Sequence, residues 1–296
     1  MTKQLVLLWA LLSAVTVAVA APASAATTKT TATTTTTSTP MRIAAMSPSS
    51  VELLFAVGAG EQIVATVEYA DYPPAATQIP RVGRYNHIDM EALLLSQPDL
   101  VVVAKADTNA ELLQRLALVG VPVIDSSVSQ LEQIPVVLRQ LAAISGHKAQ
   151  GEQVAEQFQL RLQQLLQRYQ QRQPVTVFYQ VWPEPLTTVA GGWIEQMLSS
   201  CGGSNVFASA LADYPQVSVE QVLVAAPQLI LKPTHQGFSN SESQPWQQWP
   251  EIPAIKQQLQ LTIDGDLVHR NGPRALDGLA QICQRIDQAR QVYYRE

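Results

Sequence analysis

The sequence predicts an α/β protein of two Rossmann-like lobes joined by one long α-helix, with a ligand cleft between the lobes. Three observations carry this. Short apolar runs alternate with segments of helical period along most of the chain. One long amphipathic stretch interrupts the alternation near the middle. A segment at residues 90–102 then recurs at 219–231, one copy for each predicted lobe.

Taken in order, residues 1–25 have the three parts of a secretory signal peptide: a basic start at Lys3, an apolar run from Leu5 to Ala20, and small-residue sites at 18–20 and 23–25. The apolar run is shorter than the ~20 residues a membrane span needs, so cleavage is expected over anchoring. No cysteine lies near the cleavage region to carry a lipid, and the mature protein is expected free in solution as a monomer. Residues 26–40 are almost pure threonine, with nothing to bury, and read as a disordered linker.

The first lobe is expected over 41–146. Its apolar runs at 42–46, 63–67, 100–104 and 121–125 alternate with helical patterns at 49–57, 89–96 and 109–119, the signature of βα units around a parallel sheet. From 147 to 173 the chain turns charged and glutamine-rich, with Val154, Ala155, Phe158, Leu162, Leu165, Leu166 and Tyr169 on one helical stripe. This is the connecting helix, and Pro174 ends it. A second lobe is expected over 174–296: runs or helical patterns at 175–181, 194–200, 218–224 and 229–232, a polar irregular stretch at 234–248, a short run at 266–269 and a last helix from Pro273 to about Tyr293.

The repeat is gapless. Glu91, Leu94, Pro98 and Leu100 align with Glu220, Leu223, Pro227 and Leu229, and an Ala-Asp-Tyr-Pro tetrapeptide precedes each copy, at 70–73 and 212–215. Generic αβ packing accounts for the prolines but not for paired glutamates.

Composition narrows the function. The 296 residues are 47% hydrophobic and only 15% charged, with a net charge of -5, so the positive field that phosphate backbones require is missing and nucleic acid is a poor partner. Exported, the two cysteines Cys201 and Cys283 most simply pair, and closing a loop of ~80 residues stabilises by roughly 4 to 5 kcal/mol on the chain-entropy model. The nucleophile-elbow, zincin, phosphate-loop and dinucleotide glycine motifs are absent, so nothing nominates an enzyme and no cofactor is expected. The four histidines His87, His147, His235 and His269 are dispersed, although a folded cleft that gathered His87, His235 and His269 with a carboxylate would bind a divalent metal. Aromatic residues gather instead at predicted strand ends and loops: Tyr69, Tyr72 and Tyr85 in the first lobe, Trp182, Trp193, Tyr214, Phe238, Trp246 and Trp249 in the second. Singly, each suits a core; together, they suit the walls of a cleft for a large, partly apolar ligand.

The segments SPSSVELLFAVGAG at 47–60, EYADYPP at 68–74 and QPDLVVV at 97–103, with Cys201-Gly-Gly, Asn205 and PQVS at 215–218, resemble the substrate-binding proteins of metal-chelate ABC importers, and within them the cobalamin branch. The resemblance implies a periplasmic protein that captures cobalamin (vitamin B12) between its lobes and hands it to a dimeric permease with its ATPase. It implies corrin contact at Tyr69, stacking at Tyr85 and Tyr214 where the family has tryptophans, a ligand-side loop at Asp266, Leu267, Val268, His269 and Arg270 whose residues depart from the family pattern, and a Cys201–Cys283 disulfide. Trp182 joins this set by its place beyond a predicted strand. Glu91 and Glu220 match glutamates that dock onto permease arginines. Ferric siderophore or haem is the alternative cargo, with Arg84, Lys105, Lys232 and Arg270 as candidate cations for a chelate anion. A single connecting helix further implies only modest closure of the lobes.

Overall fold

The computed structural model describes residues 40–84, 87–169, 171–235 and 245–294. The expected leader, almost all of the threonine linker, Tyr85 and Phe238 lie outside the described residues.

Each lobe is built on a parallel four-stranded sheet. In the first, β1 (Ile43–Ala45) sits between β2 (Ile63–Thr66) and a third strand, a two-residue ladder of β3 (Gly83–Arg84) with β4 (His87–Ile88) intervenes in the chain, and β5 (Leu100–Val103) and β6 (Val123–Asp125) complete the order β2-β1-β5-β6. In the second, β7 (Val175–Tyr179) is followed by a small ladder of β8 (Trp182–Pro183) and β9 (Leu186–Thr187), then β10 (Gly203–Asn205), β11 (Leu229–Thr234) and β12 (Gln260–Asp264), in the order β10-β7-β11-β12. The central strands IAA and LVVV are buried throughout, as parallel strands covered on both faces must be.

Side-chain alternation divides the first lobe's interior. Ile43, Ala45, Leu100 and Val102 face one cluster, while Ala44, Met46, Val101 and Val103 face another with Leu93, Leu112 and Leu116. The helices α1 (Pro48–Ala56), α2 (Met90–Leu95) and α3 (Ala110–Leu118) cap the sheet; Ser47, Asp89 and Asn109 accept hydrogen bonds from their first-turn amides. The first cluster does not stop at the lobe. It continues through α4 (Ile134–Ser145) and α5 (Lys148–Tyr169) into the second lobe's strands and into α6 (Gly192–Ser200), α7 (Val219–Ala225), α8 (Pro253–Lys256), α9 (Gly265–Val268) and α10 (Ala275–Tyr294).

Among the elements that depart from the sequence expectation are a helix and the last strand, and β10 and α8 were not expected either. Helix α4 has no counterpart among the expected elements, because its Pro135 and the β-branched run before Leu138 obscure a helical stripe that burial makes plain: Ile134, Val137, Leu138, Leu141 and Ala142 all point inward. It is followed by Gly146 in the left-handed conformation, and α5 then packs so closely that a Cβ on Gly151 would lie 2.1 Å from that of Ala142. The last strand is 260–264, not the run at 266–269, which forms the short helix α9. As an edge strand paired only with β11, QLTID is half exposed and lacks a strong apolar pattern.

The sequence repeat is also a structural one. Asp89 and Ser218 cap α2 and α7, Leu93 and Val222 are the buried anchors, and Gln97 and Ala226 both take φ of 46° before Pro98 and Pro227 lead into the next strand. The preceding tetrapeptides differ: Tyr72-Pro73 is cis, and the second copy instead runs beside 188–190, with Ala190 N–H donating to the Asp213 carbonyl. Cys201 and Cys283 are joined, tying α6's end to α10. The buried Arg290 guanidinium beside them donates to the Cys201 carbonyl and pairs with Asp287.

Candidate functional site

Parallel sheets present their carboxyl ends to one side, and the chain segments leaving those ends carry most of the residues singled out by sequence. From the first lobe, Tyr69 follows β2 with φ of 65°, a left-handed backbone uncommon for a bulky residue, and its side chain is 61% exposed. From the second, Trp182 is 54% and Tyr214 57% exposed. Trp193 and Trp246 are structural. Trp193 is buried and donates from Nε1 to the Val268 carbonyl at 2.8 Å; Trp246 is buried and donates to Gln180 Oε1 at 2.6 Å, with Trp249 tilted against it.

The segment after β12 meets the first lobe. Asp264 caps α9 by accepting from Asp266 N–H, Val268 is buried against Gly278 with its carbonyl held by Trp193, and Leu267 is half-buried. Val268 is therefore a core residue of the second lobe and presents no side chain to a cleft. Arg270 emerges from this turn and reaches Asp71 Oδ1 at 2.6 Å, Glu52 Oε1 at 3.3 Å and Asp266 Oδ1 at 3.4 Å. Arg274 grips the same buried Glu52 with two hydrogen bonds and lies 3.7 Å from the Tyr72 ring centroid. Asn271 Nδ2 donates to the Val128 carbonyl, and Gln196 bridges from α6 to Leu131 N–H and Glu132. Burial works against the Asp71 charge, but the hydrogen bond and charge of Arg270 overcome it and hold that carboxyl below its ordinary value.

Beside Arg270, His269 shares a 2.8 Å hydrogen bond with the buried Tyr179 hydroxyl, and its ring lies 5.2 Å from that of His235. His235 in turn sits 3.4 Å from Asp266 Oδ1. Burial, reinforced by the charge of His235 and only partly offset by Asp266, lowers His269 to about 4; burial likewise pushes Tyr179 well up. At neutral pH the Tyr179–His269 pair is therefore uncharged.

Other candidates stand apart. His87 is exposed on β4, where it lines a concavity with Met90, Asn109, Leu112 and Arg115 on the first lobe, and His147 caps the turn between α4 and α5. The trio of His87, His235 and His269 is not gathered: among the described residues no group of three or more His, Cys, Asp or Glu side chains is arranged to hold a metal ion. Of the cations, Arg84 is exposed and paired with Glu68, Lys105 is exposed, and Lys232 is buried in β11, where burial lowers its pKa. Of these four cations, Arg270 alone belongs to the interlobe cluster, where Arg274 joins it. Glu91 and Glu220 are exposed in the first turns of α2 and α7, and among the described residues neither has an ion-pair partner.

Glu52, Arg274 and Asn271 escaped sequence reasoning. Glu52 did leave a signal, as a carboxylate in the middle of the apolar run SSVELLF on a helix whose residues 50–54 are all buried.

A family model described as periplasmic binding protein matches residues 43–264. The chain belongs to the periplasmic binding protein family. A vitamin B12-binding protein of Vibrio cholerae is 35% identical over 244 residues, 82% of this chain and 87% of that protein, and one of Yersinia pestis is 34% identical over 83% of this chain and 86% of its own length. The crystal structure of the periplasmic vitamin B12 binding protein BtuF of Vibrio cholerae superposes with a TM-score of 0.79 at 33% identity, covering 85% of this chain and 98% of that one. The periplasmic haem-binding protein HutB of the same organism has a TM-score of 0.70 at 19% identity, which shows a shared fold alone. Like these periplasmic binding proteins, the chain has two α/β lobes built on parallel sheets.

Proposed function

We propose that this chain is a periplasmic substrate-binding protein that captures cobalamin between its lobes and delivers it to an inner-membrane ABC importer. The observation that carries this reading is the match, in sequence and along nearly the whole fold, to vitamin B12-binding proteins. The chain's own chemistry supports it. Tyr69, Trp182 and Tyr214 offer exposed ring faces to a large planar ligand, Leu267 an apolar edge, and Asp266, His269 and Arg270 polar groups, with Val268 and Trp193 fixing the loop from behind. Tyr85 belongs to the same proposed wall on the family resemblance. The role is binding and release, with no turnover.

In this reading residues 1–25 are removed on export. The exposed Glu91 and Glu220, at equivalent positions of the two lobes, dock onto two equivalent basic sockets of a dimeric permease, a charge arrangement that sets orientation and association rate.

Calorimetric titration of residues 41–296 with cyanocobalamin, beside haem and a ferric hydroxamate, tests the cargo. Sub-micromolar binding of the corrinoid alone is expected. Tight binding of haem or the hydroxamate without the corrinoid would move the cargo to another chelate and leave the fold and importer reading standing.

A further inference from the structure

Resting on the importer-docking reading above, we infer that each docking glutamate is one half of a two-part contact, and that Leu95 and Val224 are the apolar halves that seat with Glu91 and Glu220 in the permease.

Helices α2 and α7 are each held to their lobe by one fully buried anchor, Leu93 or Val222. Residues four apart on a helix are surface neighbours, so Leu95 lies one turn along the same stripe from Glu91, and Val224 one turn along from Glu220. Both aliphatic side chains are turned to solvent, Leu95 at 75% and Val224 at 88% exposure. A single exposed aliphatic residue is ordinary and needs no function. Here the same combination, a carboxylate with no ion pair and a solvent-facing aliphatic one turn on, stands in both lobes between matching caps and matching left-handed ends at Gln97 and Ala226. Helix propensity does not account for Val224, since Val is a weaker helix former than Lys, Gln or Glu, and at Leu95 a polar helix former of equal propensity would serve the exposed position as well.

The occupant that fits is a two-fold membrane partner presenting, at two equivalent places, a cation beside an apolar depression. A second copy of this chain fits poorly, since a self-complementary contact through these faces would bring carboxylate against carboxylate. The two halves have separable jobs. Exposed charge governs encounter and its salt dependence, whereas apolar burial at contact governs how long the complex lasts.

The test measures association and dissociation of the ligand-loaded mature protein on the cognate importer in nanodiscs, at two salt concentrations. L95S/V224S should dissociate about tenfold faster while keeping the wild-type association rate and salt dependence. E91Q/E220Q should associate more slowly and lose that dependence. L95M/V224I, which preserves apolar volume, should restore residence. Wild-type dissociation by L95S/V224S, with a defect in E91Q/E220Q, overturns the apolar contact while the docking reading survives. Absence of binding by the wild-type protein, or normal binding by E91Q/E220Q, overturns the docking reading and this inference with it. Wild-type self-association abolished by L95S/V224S would assign the face to a second copy and overturn it too. Both positions are exposed, and unchanged melting and corrinoid affinity in each variant confirm that folding is intact.

Discussion

Glu52 of the first lobe and Arg274 of the second are joined by two hydrogen bonds, Nε to Oε2 at 2.9 Å and Nη2 to Oε1 at 2.7 Å, with the carboxylate buried. Arg270 approaches the same carboxylate from the same lobe as Arg274. This cluster ties the lobes at the foot of the proposed cleft, and through Arg270 it also sets where the turn proposed to face the ligand stands.

Removing one partner of a buried pair leaves the other charge uncompensated. Glu52→Ala is expected to destabilise the protein by about 3 kcal/mol, with two guanidinium groups left facing an emptied site. Urea denaturation of the variant against wild type measures it; a loss below about 0.5 kcal/mol, the scale of an ordinary surface change, refutes the role.

His269 makes a pH-dependent contribution with a definite sign. Its pKa falls from an ordinary 6.5 to about 4 in the folded protein. Between those values the unfolded chain holds a proton that the native state does not, so stability falls as pH drops from 6.5 towards 4, by roughly 3 kcal/mol at most from this one group. His269→Gln should flatten the stability profile over that window. Equal slopes for wild type and variant would show that His269 charges freely in the fold.

Exposed and buried aromatics should separate by assay. Trp182→Ala and Tyr214→Ala are expected to weaken corrinoid binding about tenfold each while leaving melting nearly unchanged. Trp246→Ala, which empties a fully buried site and strands the Gln180 carbonyl, should cost roughly 3 to 5 kcal/mol of stability. Calorimetry and thermal melting on the three variants check both halves; a stability loss at Trp182 comparable to that at Trp246 would contradict its place on the wall.

The Cys201–Cys283 bond closes a long loop, with a sequence separation of 82. Replacing both cysteines by serine is expected to lower stability by about 2 to 5 kcal/mol, and wild type in reducing agent should behave the same way. Denaturation curves that coincide with and without reductant would refute it.

The sequence by itself determined what depends on near neighbours along the chain. Apolar runs such as LVVV specify buried parallel strands, Asn109 and Ser218 specify helix starts, and the matched segments around Glu91 and Glu220 specify two units of one design. Each is written within a few residues, where period and capping act. The edge strand QLTID, whose pattern is weak, and helix α4, whose stripe Pro135 obscures, are not legible in the sequence.

The tertiary structure alone decided which groups meet. Nothing near Trp182 or Trp246 in the chain tells that one is half exposed and the other has none of its surface in water, because that depends on what the rest of the fold lays over them. The partners of Glu52 lie 218 and 222 residues away, and such a pairing has no period and no cap to announce it. A buried carboxylate must be compensated, so the sequence posed the question at Glu52; only the packing of one lobe on the other brought Arg270 and Arg274 to answer it.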